Sequence, residues 1–160
     1  MGGGAATFSG AVPAPLENAD FHAVRQSGNY LYKDDMLKDM NAVATVAVRD
    51  PDKARRFYEQ VLGLLRDTTA SEPGVLVYKC GATKLLVYPS SFAGTNRATA
   101  ATWEVQDVEA EVVALKGRGV TFEHYDMPGV TRKGDVHLTG RTKAAWFKDP
   151  DGNILAIVGP

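Results

Sequence analysis

A chain of 160 residues, 44% hydrophobic and 23% charged, is long enough for one domain with a buried core and has the composition of a soluble globular protein. Its 18 basic residues stand against 19 acidic ones, a net charge of −1; this excludes a nucleic-acid or membrane-surface footprint, and no run approaches the roughly 20 apolar residues that span a bilayer. The one cysteine, Cys80, excludes an intrachain disulfide and a multi-cysteine zinc site, and it suits a reducing cytoplasm as the location.

Residues 1–40 read as an N-terminal extension. Met1 to Pro15 is rich in Gly, Ala and Pro, without the basic start and apolar run of a secretory signal. It reads as a flexible tail, with Met36 and Met40 as alternative starts, or as an arm that packs on a partner subunit through Phe21, Tyr30, Leu31 and Tyr32. From Asn41 the pattern becomes regular. Val43 to Val48 is a strand, Asp50 a helix N-cap and Pro51 the first helical residue, where its missing N–H costs nothing. Ala54, Phe57, Tyr58, Val61 and Leu62 recur at helical spacing, and Gly63 stops the helix. Val75 to Cys80 and Lys84 to Tyr88 are strands around a turn at Gly81. Cys80, with no helix N-terminus or sequence-adjacent histidine to activate it, reads as a buried, inert thiol.

A polar linker, residues 91–98, leads into a second copy of the same order. Ala100 to Val105 is a strand, Asp107 an N-cap, and Val108, Val112 and Leu115 a helical stripe ended by Gly117 and Gly119. Val120 to His124 is a strand. The segment KAAWFKDPDGNILAIV, Lys143 to Val158, is two strands around a tight turn at Pro150, Asp151 and Gly152. The chain therefore carries a β-α-β-β-β module twice: residues 41–90, then 99–160 after the linker, within one domain from 41 to 160. One helix covers only one face of each small sheet, so two bare faces curl together around a cavity, the usual setting of a ligand site.

Strand–Asp–helix–FYxxxLG in the first module and DPDGN between the last strands together resemble the vicinal oxygen chelate superfamily, which includes glyoxalase I, bleomycin-resistance proteins and extradiol dioxygenases. The resemblance implies an α+β fold: two βαβββ modules forming a curved U-shaped sheet around a cup, with the N-terminal extension added. It also implies a homodimer. Metal-using members place His, Glu or Gln ligands on the first and last strand of each module. The matching positions here are Val43, seven residues before Asp50, Ala100, seven before Asp107, Ala156, seven after Asp149, and Leu86. All four are apolar and have no lone pair to give. The expectation is no cofactor, no metal, and a small-molecule ligand as the partner, with neither nucleic acid nor membrane.

Alternation along strands then names the cup lining. Thr45 and Ala47 share a face with Val43, Thr102 and Glu104 with Ala100, Ile154 and Val158 with Ala156, and Lys84 and Tyr88 with Leu86. Family register adds Ala144 and Trp146. Ligand contacts are expected from Trp146, Tyr88, Thr45, Thr102, Lys84 and His137. The last of these sits in DMPGVTRKGDVHLTG, a stretch long enough to act as a lid, whose closing would bring His137 and the adjoining Arg141 to the ligand. Trp146 equally suits core packing under the hairpin.

Four functions fit. The first is metal-independent binding of a small, mostly apolar or aromatic molecule. The second is a metal-free isomerase or lyase with Glu104 as acid or base, a carboxylate on a partly apolar wall being suited to proton transfer. Glu104 equally suits a rim ion pair with Lys84 or an arginine. The third is a metalloenzyme with ligands displaced to Glu123, His124, Asp126 and His137. The fourth is an assembly or regulatory module whose cup packs a partner. His22 reads as solvated, and the DPDG turns lack the further acidic residues of a calcium loop.

Overall fold

Among the described residues, two aspartates start the two α-helices. The computed structural model of the chain describes residues 37–69 and 72–160, and the arm residues Phe21, His22, Tyr30, Leu31 and Tyr32 lie outside that range. The chain divides into two compact units, Met1–Lys38 and Asp39–Pro160; only Leu37 and Lys38 of the first are described. In the second, Asp50 holds an extended backbone while its carboxylate accepts the N–H groups of Asp52 at 2.9 Å and Lys53 at 3.1 Å. Helix α1, Pro51–Arg56, runs on into a π-helical turn at Phe57–Val61. Asp107 accepts the Ala110 N–H at 3.0 Å and begins α2, Val108–Gly117. Each carboxylate satisfies donors that the first helical turn leaves without partners, as the capping reading expects.

The first sheet contains β1 (Ala44–Val48), β2 (Leu65–Arg66), β3 (Leu76–Cys80) and β4 (Thr83–Pro89), in the order β1-β4-β3-β2. The second contains β5 (Thr99–Glu104), β6 (Phe122–Glu123), β7 (Thr131–Lys133), β8 (Val136–Thr139), β9 (Thr142–Lys148) and β10 (Ile154–Gly159). Its order is β5-β10-β9-β8-β7, with β6 also paired to β9. The four strands β5, β10, β9 and β6 repeat the arrangement of β1, β4, β3 and β2, including the parallel pairing of first and last strands. The duplicated βαβββ order is thus present in both halves, and β1 lies alongside β5.

Residues 126–140 are not a lid: they contain the β7–β8 hairpin, which pairs with β9. Its turn residue Gly134 has φ +62°. Cys80 is half-buried rather than buried. No helix among the described residues is long and apolar enough to cross a membrane.

Side-chain alternation sends one face of each sheet to the helices. Val46, Val48, Tyr78, Leu85 and Val87 meet Ala54 and Tyr58; Ala145, Phe147, Leu155 and Ile157 meet Val108, Val112 and Leu115, all in one continuous core. The halves are joined by a buried polar knot at the DPDGN turn. The Asp149 carboxylate accepts the N–H groups of Asp151 and Asn153 on one oxygen, each at 2.9 Å. Its other oxygen accepts the Tyr58 hydroxyl at 3.0 Å and the Asn153 amide at 2.7 Å. Asn153 also donates to the Ala47 carbonyl at 2.8 Å and accepts the Gly94 N–H at 3.2 Å. Burial, with the Asp149 charge adding to it, pushes the Tyr58 hydroxyl far above the usual phenol range. That proton stays on the donor side of the bond.

Candidate functional site

The sheet faces turned away from the helices carry the candidate residues in rows. Across the second sheet, strand pairing sets Thr102 beside Ala156 and Ala156 beside Trp146, which faces Glu123. The next row is Glu104, Val158, Ala144 and His137. Across the first sheet Thr45 lies beside Leu86 and Leu86 beside Val77, with Ala47 beside Tyr88 in the following row. Lys84 lies beside Lys79. Thr45, Thr102, Glu104, Lys84, Leu86, Tyr88, Trp146 and Ala156 therefore fall on the face expected of them, and His137, expected in a loop, joins it from a strand.

The apolar positions differ in detail. Val43 sits one residue before β1 and is 45% exposed. Leu86 is half-buried and Ala156 is buried. Ala100 lies where the β5–β10 register shifts, since Thr99 pairs with Ile154 and Ala101 with Leu155. A shift of this kind leaves one residue unpaired and turns its side chain out of alternation; Ala100 accordingly packs against the helix-side core. None of the four side chains can bind a metal, so the donor set does not fit one. Among the described residues no three His, Cys, Asp or Glu side chains come together as a possible metal site. Glu123, His124, Asp126 and His137 are not gathered: Glu123 is paired with Lys148 at 2.9 Å and His124 with Asp135 at 2.8 Å.

A cleft of about 640 Å³ at the β1–β5 seam brings together Val43, Lys84, Thr102 and Glu104. Cys80 and Trp103 line it too, and neither was expected there. Cys80 follows from its place at the β3–β4 turn beside Lys84; Trp103 alternates onto the helix side of β5 and reaches the cleft only because β5 is an edge strand of its sheet. Glu104 is exposed, so it lacks the apolar enclosure that the acid–base reading required. It also lines a neighbouring cleft of about 530 Å³ with Arg141 and Val158.

Lys84 is engaged not by Glu104 but by Asp67, at 3.0 Å. The Asp67 carboxylate also accepts the Thr69 hydroxyl at 2.6 Å and the Thr69 N–H at 3.2 Å. These Thr69 bonds and then Lys84 hold the Asp67 pKa down at about 2. A depressed carboxylate pKa contributes stability above its unfolded value, near 4, and loses that contribution as pH falls toward 2. Thermal unfolding of the wild type is therefore expected to drop more between pH 4 and pH 2 than that of Asp67→Asn. Equal acid sensitivity of the two proteins would remove this role.

Trp146 and His137 meet in a separate aromatic group. Their rings are 5.0 Å apart, edge to face, and Tyr125 stands 5.8 Å from Trp146 and 6.4 Å from His137. The Trp146 indole N–H donates to the Thr99 hydroxyl at 3.2 Å. His137 is 1% exposed, held on β8 rather than carried by a lid. Tyr125 was missed because its residue is in no strand; its position two residues after Glu123, opposite Trp146, was the available signal. Tyr88 and Thr45 remain on the first sheet, outside both the seam cleft and the aromatic group.

Comparison with known proteins follows the same lines. The family model for the Glyoxalase/Bleomycin resistance protein/Dioxygenase superfamily matches residues 40–157. No curated protein is similar enough to count as a match. Among solved structures, the chain is similar to TnmS3, an antibiotic binding protein from Streptomyces sp. CB03234, at 25% identity over 76% of this chain and 97% of that one, with a TM-score of 0.53. A glyoxalase/bleomycin resistance protein from the same organism is 27% identical over 74% of this chain and 98% of its own, with a TM-score of 0.51. A lactoylglutathione lyase from Agrobacterium tumefaciens is 18% identical over 75% and 92%, with a TM-score of 0.56, a likeness of fold.

Proposed function

Because the chain belongs to the Glyoxalase/Bleomycin resistance protein/Dioxygenase superfamily, we propose that it binds a small, mostly apolar or aromatic molecule in the cup without a metal. The observation that carries this reading is the chemistry of the matching positions: Val43, Leu86 and Ala156 on the cup face, and Ala100 at the register shift, offer a metal no donor atom. The same face sets Trp146 beside Ala156 and Ala144 beside Val158, with Thr102, Glu104, Glu123 and His137 as its polar groups, apolar residues with orienting polar ones as a small-molecule site requires. The apolar residues Ala144, Ala156 and Val158 offer no group that repays desolvation of a charge set against them. The antibiotic-binding relative at 25% identity supports binding in preference to turnover.

Equilibrium dialysis with 2-ethylnaphthalene tests the reading. Binding is expected to survive exhaustive treatment with a chelator, to leave the compound unchanged, and to weaken about tenfold or more in Trp146→Ala. Loss of binding on chelation, or stoichiometric zinc, iron, manganese or nickel in chelator-free protein, overturns metal independence. Conversion of the bound compound overturns binding as the function.

A further inference from the structure

We infer that His137 and Tyr125 form a hydrogen-bonding subsite that selects ligands carrying a carbonyl or similar acceptor oxygen beside a planar ring. The inference rests on the binding reading above and specifies the ligand's chemistry.

The Tyr125 backbone N–H donates to His137 Nε2 at 3.1 Å. An imidazole nitrogen that accepts a hydrogen bond carries no proton, so the ring proton sits on Nδ1 and makes that nitrogen a donor. Nδ1 is fully buried and has no hydrogen-bond partner among the described residues, and the same holds for the Tyr125 hydroxyl. A buried donor without a partner is rare in folded proteins, and two on adjoining rings are a concentrated cost. Strand pairing places His137 on the face away from the helices, in the row Glu104, Val158, Ala144, His137. Val158 and Glu104 of that row line the cleft of about 530 Å³. Ala144, between Val158 and His137, carries the smallest side chain of that row. Trp146, edge-on to both rings, forms the flat wall at right angles to them. A planar ligand against Trp146 thus brings its edge toward two unused polar groups. An acceptor oxygen on that edge takes the Nδ1–H and meets the Tyr125 hydroxyl, while an all-hydrocarbon edge leaves both unsatisfied. Sites with buried polar groups reject analogues that cannot pair with them more strongly than apolar pockets reject a missing methylene.

The test compares 2-acetylnaphthalene with 2-ethylnaphthalene, which has a closely similar shape but no oxygen. Wild-type protein is expected to bind the ketone at least about tenfold more tightly, and in His137→Phe the two probes bind alike. Titration of wild-type protein carrying ¹⁵N-labelled histidine gives a readout independent of any variant's folding: the ketone, and not the hydrocarbon, shifts the Nδ1 signal of one histidine. Equal binding of both probes by wild type, or a ketone preference that persists in His137→Phe, overturns the subsite and leaves binding in the cup standing. Binding of neither probe overturns both.

Discussion

Asn153→Ala is expected to lower the free energy of unfolding by about 3 kcal/mol, seen as a fall in the urea midpoint with little change in slope. The side chain is buried and makes three bonds to three different parts of the chain: the Ala47 carbonyl, the Gly94 N–H and the Asp149 carboxylate. Alanine leaves each of those groups short of a partner in a place water does not freely reach. An unsatisfied buried polar group costs roughly 1–3 kcal/mol, and the three groups share a site, so their costs overlap rather than add. A loss below about 1 kcal/mol would show that the halves do not depend on this knot.

Gly94→Ala is expected to be at least as severe, about 3–5 kcal/mol, for a steric reason. Gly94 has φ +68°, which non-glycine residues adopt only at a cost, and a Cβ there would overlap the Asp151 carbonyl oxygen, with the Asp151 carbonyl carbon at 2.9 Å. The obstacle is backbone, and that backbone is the turn Asp149 holds in place. Gly140→Ala is the control. Its φ is +58° with nothing within 4 Å of a Cβ, so it pays only the conformational cost, about 1–2 kcal/mol. Thermal unfolding of the pair separates the two terms; equal losses would mean that the approach to Asp151 is not what matters.

The parts of the fold legible in the sequence were those set by local chemistry. Asp50 and Asp107 announce helix starts because a carboxylate at that point satisfies orphan N–H groups, whatever the rest of the chain does. DPDGN announces a tight turn, and alternation from it assigns Trp146, Ala156 and Val158 to one face. What stayed hidden depended on distant partners. Strand β2 is two residues, Leu65 and Arg66, both exposed, and exists because β3 offers an edge. The β7–β8 hairpin looked like a lid because the stretch from Asp126 to Gly140 is long for a connection; Thr131, Arg132 and Lys133 are polar, and their pairing with β8 is what makes them a strand. The same oversight hid the burial of His137. The shift at Ala100 was equally invisible, since counting seven residues from Asp107 assumes an unbroken register. For the site, the sequence supplied the apolar identity of four positions and the face on which Trp146 lies. The pairing of Lys84 with Asp67 and the exposure of Glu104 needed three dimensions.

The knot also bears on when the protein can finish folding. Val43 to Leu62, a strand and a capped helix close in sequence, have the local contacts to settle early. Yet the Ala47 carbonyl is completed by a residue 106 positions later, and the Tyr58 hydroxyl by one 91 positions later. On the ribosome the first half therefore emerges with two of its inward-facing polar groups unmatched, and they stay so until residues 149–153 have been made. A nascent chain stalled before Asp149 should accordingly be protease-sensitive in its first half as well as its second, and protection should arrive in both together. Such separation is the sequence distance that slows folding, and it makes the two βαβββ modules a single cooperative unit rather than two beads on a string.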